Sequence, residues 1–360
     1  MIRDLLTELM LIPGLAGYEE RVARAIAAHL DRQEFAHRSD RLGNLVTTMP
    51  GDPALPSVMV FAHMDQLGFI VRKIEPSGLI RLERQGGVPE RALPAQAVLL
   101  CAEDGDLPGV ISNKSHHATT PDEKYQVVPY AKLAVDAGFA SRDEAEAAGV
   151  RIGMPVVYLP RALDLAGGRM AGTAVDDRAG CAALIALAEA RRGKPGPTLH
   201  LVWSVQEEHN LRGVLPVATA LGPDIAISID TLLACDTPEV ADRGDVELGG
   251  GPAISMFSFH GRGTLNGVIP HPALVRLMDA AAADRGLRLQ RSAHTGLLTD
   301  LSYIQFTGPQ GVACLDVGVP VRYSHSALEV VDPEDIAGLV RLLDAALDRI
   351  GPDLELVRAP

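Results

Sequence analysis

The sequence predicts an α/β chain, with one large domain on a mixed sheet and a small β-barrel-like insertion within it. Three observations predict it. Apolar runs suited to buried strands alternate with helical patterns at both ends of the chain. From about residue 67 to residue 159 the texture changes to short β-like runs punctuated by Gly and Pro. The chain has 360 residues, more than one small core holds at roughly 150 residues per domain. The boundaries read from this are 1–66 with 160–360 for the large domain and 67–159 for the insertion.

Residues 2–10 read as a short helix, broken by Ile12-Pro13-Gly14. Residues 19–30 make a better helix, with Val22, Ala25, Ile26 and Leu30 on one face. Gly43-Asn44 is a turn, and Leu45-Val46 opens a strand. Residues 57–62 (SVMVFA) have the signature of a central buried strand that ends in His63-Met64-Asp65. The insertion offers strands at 68–74, 79–82, 97–100, 109–111 and 156–159, and one helix near 141–148. An alanine-rich helix follows at 177–190. A strand at 199–205 ends in Gln206-Glu207-Glu208, another at 225–229 ends in Asp230, and a third spans 311–316. Residues 272–283 form a helix with Pro near its first turn. Residues 335–350 form a closing amphipathic helix, with Ile336, Leu339, Val340, Leu343, Ala346 and Leu347 at helical spacing.

Composition excludes some functions. Hydrophobic residues make up 47% and charged residues 22%, which fits a folded globular chain. Aromatics are only 4%, which argues against a base-stacking nucleic-acid reader or a ring-paved sugar cleft. A net charge of −13 disfavours a phosphate-backbone partner and suits solubility, cationic ligands or metal ions. The four cysteines form no C-x-x-C pair, so neither a thiolate zinc site nor a disulfide framework is indicated. The first residues lack an apolar signal-peptide core, and no apolar stretch is long enough to span a bilayer. A cytoplasmic location, without membrane or nucleic-acid partners, is the simplest expectation.

The informative pattern is apolar strands that end in acids or His. In open α/β sheets ligands bind beyond the carboxyl ends of the strands. Clustered acids there repel and raise each other's pKa, and a bound cation removes that penalty. His63 and Asp65 sit at i and i+2, on one face of extended backbone, and a carboxylate commonly holds the second nitrogen of a ligating imidazole. Taken alone, H-x-D is more often a polar strand end. Asp176-Asp177-Arg178 precedes a helix, so it reads either as a capped N-terminus or as a carboxylate bridging two metal ions, with its neighbours in support. Glu207-Glu208 is the strongest motif, because one carboxylate can bind metal while the other holds the nucleophilic water. Asp230 and His325 stand singly, and a lone His is more often structural. His117 and His209 stay open at this point.

The order H-M-D, D-D-R, Q-E-E, S-I-D and R-Y-x-H-S resembles the family-42 metallopeptidases. These are the tetrahedral, or TET-type, aminopeptidases, also known as glutamyl or deblocking aminopeptidase relatives. Similar stretches run along nearly the whole chain, including Ile12-Pro13-Gly14, Leu42-Gly43-Asn44-Leu45, Gly86-Gly87 and Leu248-Gly249-Gly250-Gly251-Pro252. The resemblance implies a zinc-peptidase-like catalytic domain and two divalent metal ions per subunit. His63, Asp176 and Asp230 would bind one ion, and Asp176, Glu208 and His325 the other. Glu207 would be the general base, and Asp65 would orient His63. Mixed His and carboxylate ligands suit zinc or cobalt better than calcium. The resemblance also implies peptide substrates, cleavage of the N-terminal residue, and a homo-oligomer, typically a dodecamer, in which the insertion serves assembly and the substrate entrance.

Several residues depart from the family pattern. Gln66 stands where an acid is usual, His209-Asn210 replaces a small apolar-Gly pair, Ala16 replaces Ser, Ser324 replaces Met, and the surroundings of Thr299-Asp300 differ. None removes an implied ligand. The alternatives are a related dinuclear carboxypeptidase or N-acyl-amino-acid deacylase, which share the ligand order, and a catalytically silent assembly protein of the same fold.

Overall fold

A computed structural model describes residues 2–261 and 265–358. The central strand, Val58–His63, is buried along its whole length. Its side chains alternate between two cores. Val58, Val60 and Ala62 pack on one face of the sheet, and Met59 and Phe61 on the other. An unbroken apolar run in sequence is thus a strand covered on both sides.

The strand pairs in parallel with Leu199–Ser204 on one side and with Ile225–Leu233 on the other. Ile225–Leu233 in turn pairs in parallel with Ala313–Arg322. Outside this parallel centre the sheet turns antiparallel. Leu45–Met49 and His37–Ser39 flank one side, and Glu329–Val331, Met170–Gly172 and Ala162–Asp164 the other. Ala253–Phe259 branches from Ala313–Arg322 and carries Gln290–Thr295 beside it.

Helices cover both faces. Ile2–Met10, Val175–Arg191, Pro272–Arg285 and Pro333–Asp348 contribute to the larger core. Leu215–Leu221 and Leu301–Ile304 cover the other. Val175–Arg191 is buried on nearly every side, since it lies between the sheet and the helices Ile2–Met10 and Pro333–Asp348. Its alanines suit such close approach, and Gly180 leaves room for the Asp177 carboxylate, which a Cβ would meet at 2.3 Å. Trp203 is fully buried against this helix and donates its indole N–H to the Cys181 carbonyl at 3.2 Å, which satisfies its one polar atom.

Six strands between Gly68 and Tyr158 close into a barrel. Their order is Gly68–Ile74, Ile80–Gln85, Val135–Asp136, Leu107–Ile111, Ala97–Leu100, Pro155–Tyr158. Closure leaves no free sheet edge. The barrel has its own core, which includes Phe69, Val71, Ile80, Val98 and Val156. At its root, Gln66 donates its backbone N–H to the Gly14 carbonyl at 3.0 Å. Gly68 packs so tightly there that a Cβ would lie 2.5 Å from the Val156 carbonyl oxygen.

The expected mixed-sheet α/β architecture and the closed β-barrel are both present. Two sequence expectations need correction, and two strands were not foreseen. The strand expected to stop before Asp230 runs on to Leu233, and the one expected to stop at Asp316 runs on to Arg322. In both the acid lies inside the strand, because its side chain faces a cavity instead of packed core. The strands Ala253–Phe259 and Gln290–Thr295 escape sequence reading because serine, histidine and glutamine interrupt their apolar pattern. No described helix is long and apolar enough to cross a membrane.

Candidate metal centre

The sheet brings the candidate residues together at the carboxyl end of its parallel strands. His63 is the last residue of its strand, two and four places beyond Phe61 and Met59, so its side chain shares their face. On the next strand Asp230 lies four places beyond Ala226, which packs into the same core. Glu207 and Glu208 open a short helical turn, Glu207–Asn210, just past Leu199–Ser204. Asp176 sits at the start of Val175–Arg191, and His325 follows the end of Ala313–Arg322.

Two groups of donor atoms result, and they share Asp176. His63, Asp176 and Asp230 offer atoms that all lie within 4.8 Å of one another, and so do Asp176, Glu208 and His325. His63 Nε2 is 3.2 Å from Asp176 Oδ1. His325 Nε2 is 3.5 Å from Asp176 Oδ2 and 3.7 Å from Glu208 Oε1. Glu207 lines the same cavity, and Asp65 is fully buried behind it.

Electrostatics favour a cation here. Burial pushes the Asp230 carboxyl well above the carboxylate range, and the neighbouring Asp176 adds to the effect. Burial does the same to Glu207, against the pull of His63 and with the help of Asp230 and Glu208. Glu208 is pushed up to about 7 by burial, although His325 opposes it. Burial works against charge on His325, yet Glu208 and Asp176 raise it to about 9. Burial likewise opposes charge on His63, and its hydrogen bonds to Asp176 and Asp65 raise it well above 6.5. Burial works against charge on Asp176, yet the hydrogen bond and charge of His63, together with His325 and the Thr231 hydroxyl, hold the carboxyl at about 2.

The donor set fits divalent metal. Glu208 Oε1 is buried without a hydrogen-bond partner, an expensive state unless a cation meets it. Two imidazoles and three carboxylates are borderline-to-hard ligands of the kind zinc and cobalt accept. The second nitrogen of each imidazole is also held, as metal sites require. His63 Nδ1 lies 3.2 Å from the Asp65 backbone oxygen and 3.6 Å from Asp65 Oδ1. His325 Nδ1 lies 3.3 Å from the Gly87 carbonyl oxygen. With Nδ1–H donating in each case, each Nε2 is turned toward the carboxylates, where a metal ion would take the place of its proton.

Neighbouring groups fix this geometry. The Asp65 carboxylate accepts the backbone N–H of Glu207 at 3.0 Å and that of Glu208 at 2.9 Å. It therefore grips the Glu-Glu turn as well as facing His63. Glu329 accepts the backbone N–H of Asp176 at 2.9 Å and of His325 at 2.6 Å, which ties two ligand segments to one carboxylate. Glu19 accepts the Gln206 N–H at 3.0 Å. Thr231 and Ser324 donate hydroxyls to Asp176 Oδ2 at 3.0 and 3.3 Å. Asp177 accepts the Gly180 N–H, and buried Arg178 reaches the carbonyls of Leu9 and Ile12 and the Gln66 side chain. Gln66 thus serves where an acid is usual, since its amide oxygen also accepts the Gly14 N–H at 3.1 Å.

Five non-glycine residues around the site have left-handed backbone: Ala174 (φ 58°), Gln206 (59°), Leu211 (60°), Tyr323 (61°) and His325 (69°). Each costs on the order of 1–3 kcal/mol and persists only where the surroundings over-determine it.

The other candidates fall differently. His209 lines the cavity but belongs to neither donor group, and His117 lies exposed on the barrel. Sequence reasoning assigned no role to Glu19, Glu329, Asp300 and Asp316, all buried. Asp316 and Glu329 carried a signal, since each is a lone acid in or at the start of an apolar strand.

Comparison with known proteins agrees with this geometry. The sequence pattern of the M42 glutamyl aminopeptidases matches residues 43–342. A putative aminopeptidase, SgcX of Escherichia coli K12, is 38% identical over 347 residues, covering 96% of this chain and 92% of its own. Aminopeptidase APDkam598 from the archaeon Desulfurococcus kamchatkensis superposes with a TM-score of 0.91 at 30% identity, over 98% of this chain and 96% of its own. The Pyrococcus horikoshii TET1 peptidase, which can assemble into a tetrahedron or a large octahedral shell, gives 0.86 at 28% identity, over 96% and 99%. With a family match over most of its length, a relative above one-third identity and the same fold, the chain belongs to the M42 glutamyl aminopeptidase family of peptide hydrolases.

Proposed function

We propose that this chain removes N-terminal residues from peptides as a two-metal enzyme. One divalent ion is held by His63, Asp176 and Asp230, the other by Asp176, Glu208 and His325, and zinc or cobalt suits both sets. The observation that carries this reading is the pair of three-residue donor groups that share one carboxylate. When bound, such ions supply Lewis acidity toward the scissile carbonyl and lower the pKa of water.

The chain's own residues do the rest. Glu207 takes a proton from the attacking water on a carboxylate oxygen as the new C–O bond forms, then hands it to the amine nitrogen as the C–N bond breaks. Asp65 holds Glu207 and Glu208 in register through their backbone N–H groups. Asp230 and Glu207 present the acidic wall on which a peptide's free α-amine rests, which limits cleavage to the first residue. The cavity, about 540 Å³, holds a residue and its neighbour but not a folded chain. Assembly into a homo-oligomer, a dodecamer by analogy with the TET relative, belongs to the same reading.

The test is chelation of the purified chain, followed by assay with aminoacyl amides. Activity should vanish and return with zinc or cobalt. Full activity in metal-free protein overturns the reading. Preference for an N-acylated amino acid over a free-amine amide would support the deacylase alternative instead.

A further inference from the structure

Beyond the metal ligands, the cavity contains a second acidic feature that the chemistry above leaves unused. Asp316 lines it and is only 2% exposed. Its Oδ1 accepts the Thr299 hydroxyl at 2.7 Å, while Oδ2 is buried with no hydrogen-bond partner. Leaving a buried carboxylate oxygen unsatisfied is costly, and the cost is removed when a donor arrives.

The sheet register places this oxygen. On the paired strands Asp230 lies opposite Gly318, and Asp316 lies opposite Ser228. Asp316 is therefore one strand over and two residues back from Asp230, on the same face, roughly 8 Å away between Cα positions at about 3.3 Å per residue and about 4.8 Å per strand. That is the reach of a four-carbon side chain ending in a cation. Phe257 and Leu297 flank the cavity and can cover an aliphatic stem, and Ser258 and His294, also with unpartnered buried atoms, add polar groups. Among the described residues lining the cavity there is no Lys or Arg to answer an acidic side chain.

We infer that Asp316, positioned by Thr299, is a specificity-determining residue that selects a cationic N-terminal side chain, lysine or arginine, at the proposed aminopeptidase site. The inference rests on that reading. A lysine ammonium takes Oδ2 as a charge-assisted hydrogen-bond partner, and the Thr299 hydroxyl keeps the carboxylate turned toward it.

The experiment compares lysyl, norleucyl, leucyl and glutamyl amides on the metal-loaded wild-type enzyme. Norleucine keeps the stem and lacks the amine. The expected result is a kcat/KM for the lysyl amide at least tenfold above that for the norleucyl amide. Asp316→Asn should remove most of that ratio and change the leucyl amide less than threefold. Equal or faster norleucyl cleavage by wild type overturns the inference, as does a glutamyl preference or an undiminished lysine preference in Asp316→Asn. If Asp316→Asn fails to fold, Thr299→Val is read in the same way, and the wild-type comparison alone still decides. Absence of cleavage of every amide, with metal present, is failure of the aminopeptidase reading itself.

Discussion

The Asp65 carboxylate accepts the backbone N–H of Glu208 at 2.9 Å, linking the end of one parallel strand to the turn that follows its neighbour. Its other oxygen accepts the N–H of Glu207. Asp65→Asn keeps the size and leaves only one acceptor for two donors. Metal affinity or kcat is expected to fall 10- to 100-fold, the usual effect of losing a group that orients a metal ligand. Zinc titration alongside steady-state kinetics checks it, and unchanged values for both would refute it.

Glu207 is separated from the donor groups but shares their cavity. If it moves the proton, Glu207→Gln should lower kcat by about 10²- to 10⁴-fold and leave two metal ions bound per chain. Metal analysis by atomic absorption with kcat on an aminoacyl amide makes the measurement. Loss of one ion would reassign Glu207 as a ligand.

The inserted domain approaches the chemistry at Gly87, in the loop that follows Ile80–Gln85. A Cβ on Gly87 would lie 2.7 Å from His325 Nδ1. Gly87→Ala should displace the imidazole, weaken metal binding and cut activity at least tenfold, while the melting temperature of the chelated protein stays within a few degrees of wild type. Differential scanning fluorimetry with and without zinc separates the two effects.

Asp335 offers a pH test remote from the metal centre. Its oxygens accept the N–H groups of Gly249 and Gly251 at 2.7 and 2.8 Å, and burial raises its pKa from 3.8 to about 6. A carboxyl raised on folding favours the native state most below its unfolded pKa, and that contribution is lost as pH climbs through the folded pKa. From pH 4 to pH 6.5, wild type should therefore lose stability relative to Asp335→Asn. Urea denaturation of both across that window gives the slope, and parallel curves would contradict it.

How much of this was legible in the sequence depends on what each residue's neighbours are. The Val58–His63 strand could be read because its side chains face apolar cores on both sides, so every residue points to the same answer. His63, Glu207, Glu208 and Asp230 could be picked out because polar groups stand where apolar strands end, whereas Asp176 and His325 were marked as ligands by the family resemblance. Asp316 and the outer part of the Asp230 strand were misread by the same logic, since an acid within a strand looks like its end unless the cavity is known. Glu19 was invisible, because it acts on the backbone N–H of Gln206, 187 residues away, and Glu329 gave only the weak signal of a lone acid opening an apolar strand. A buried carboxylate whose partner is backbone leaves no side-chain signature in the sequence.

The donors of the proposed centre are scattered from residue 63 to residue 325, and one carboxylate, Asp176, belongs to both groups. Neither set is complete until the chain has passed residue 230 for the first and residue 325 for the second. Closing such long loops is paid for by the sheet and its cores, not by the ions. If the centre binds metal as proposed, loading comes late in the life of each molecule. A nascent or truncated chain, which lacks the last strand of the parallel centre, cannot become a working hydrolase before it has folded.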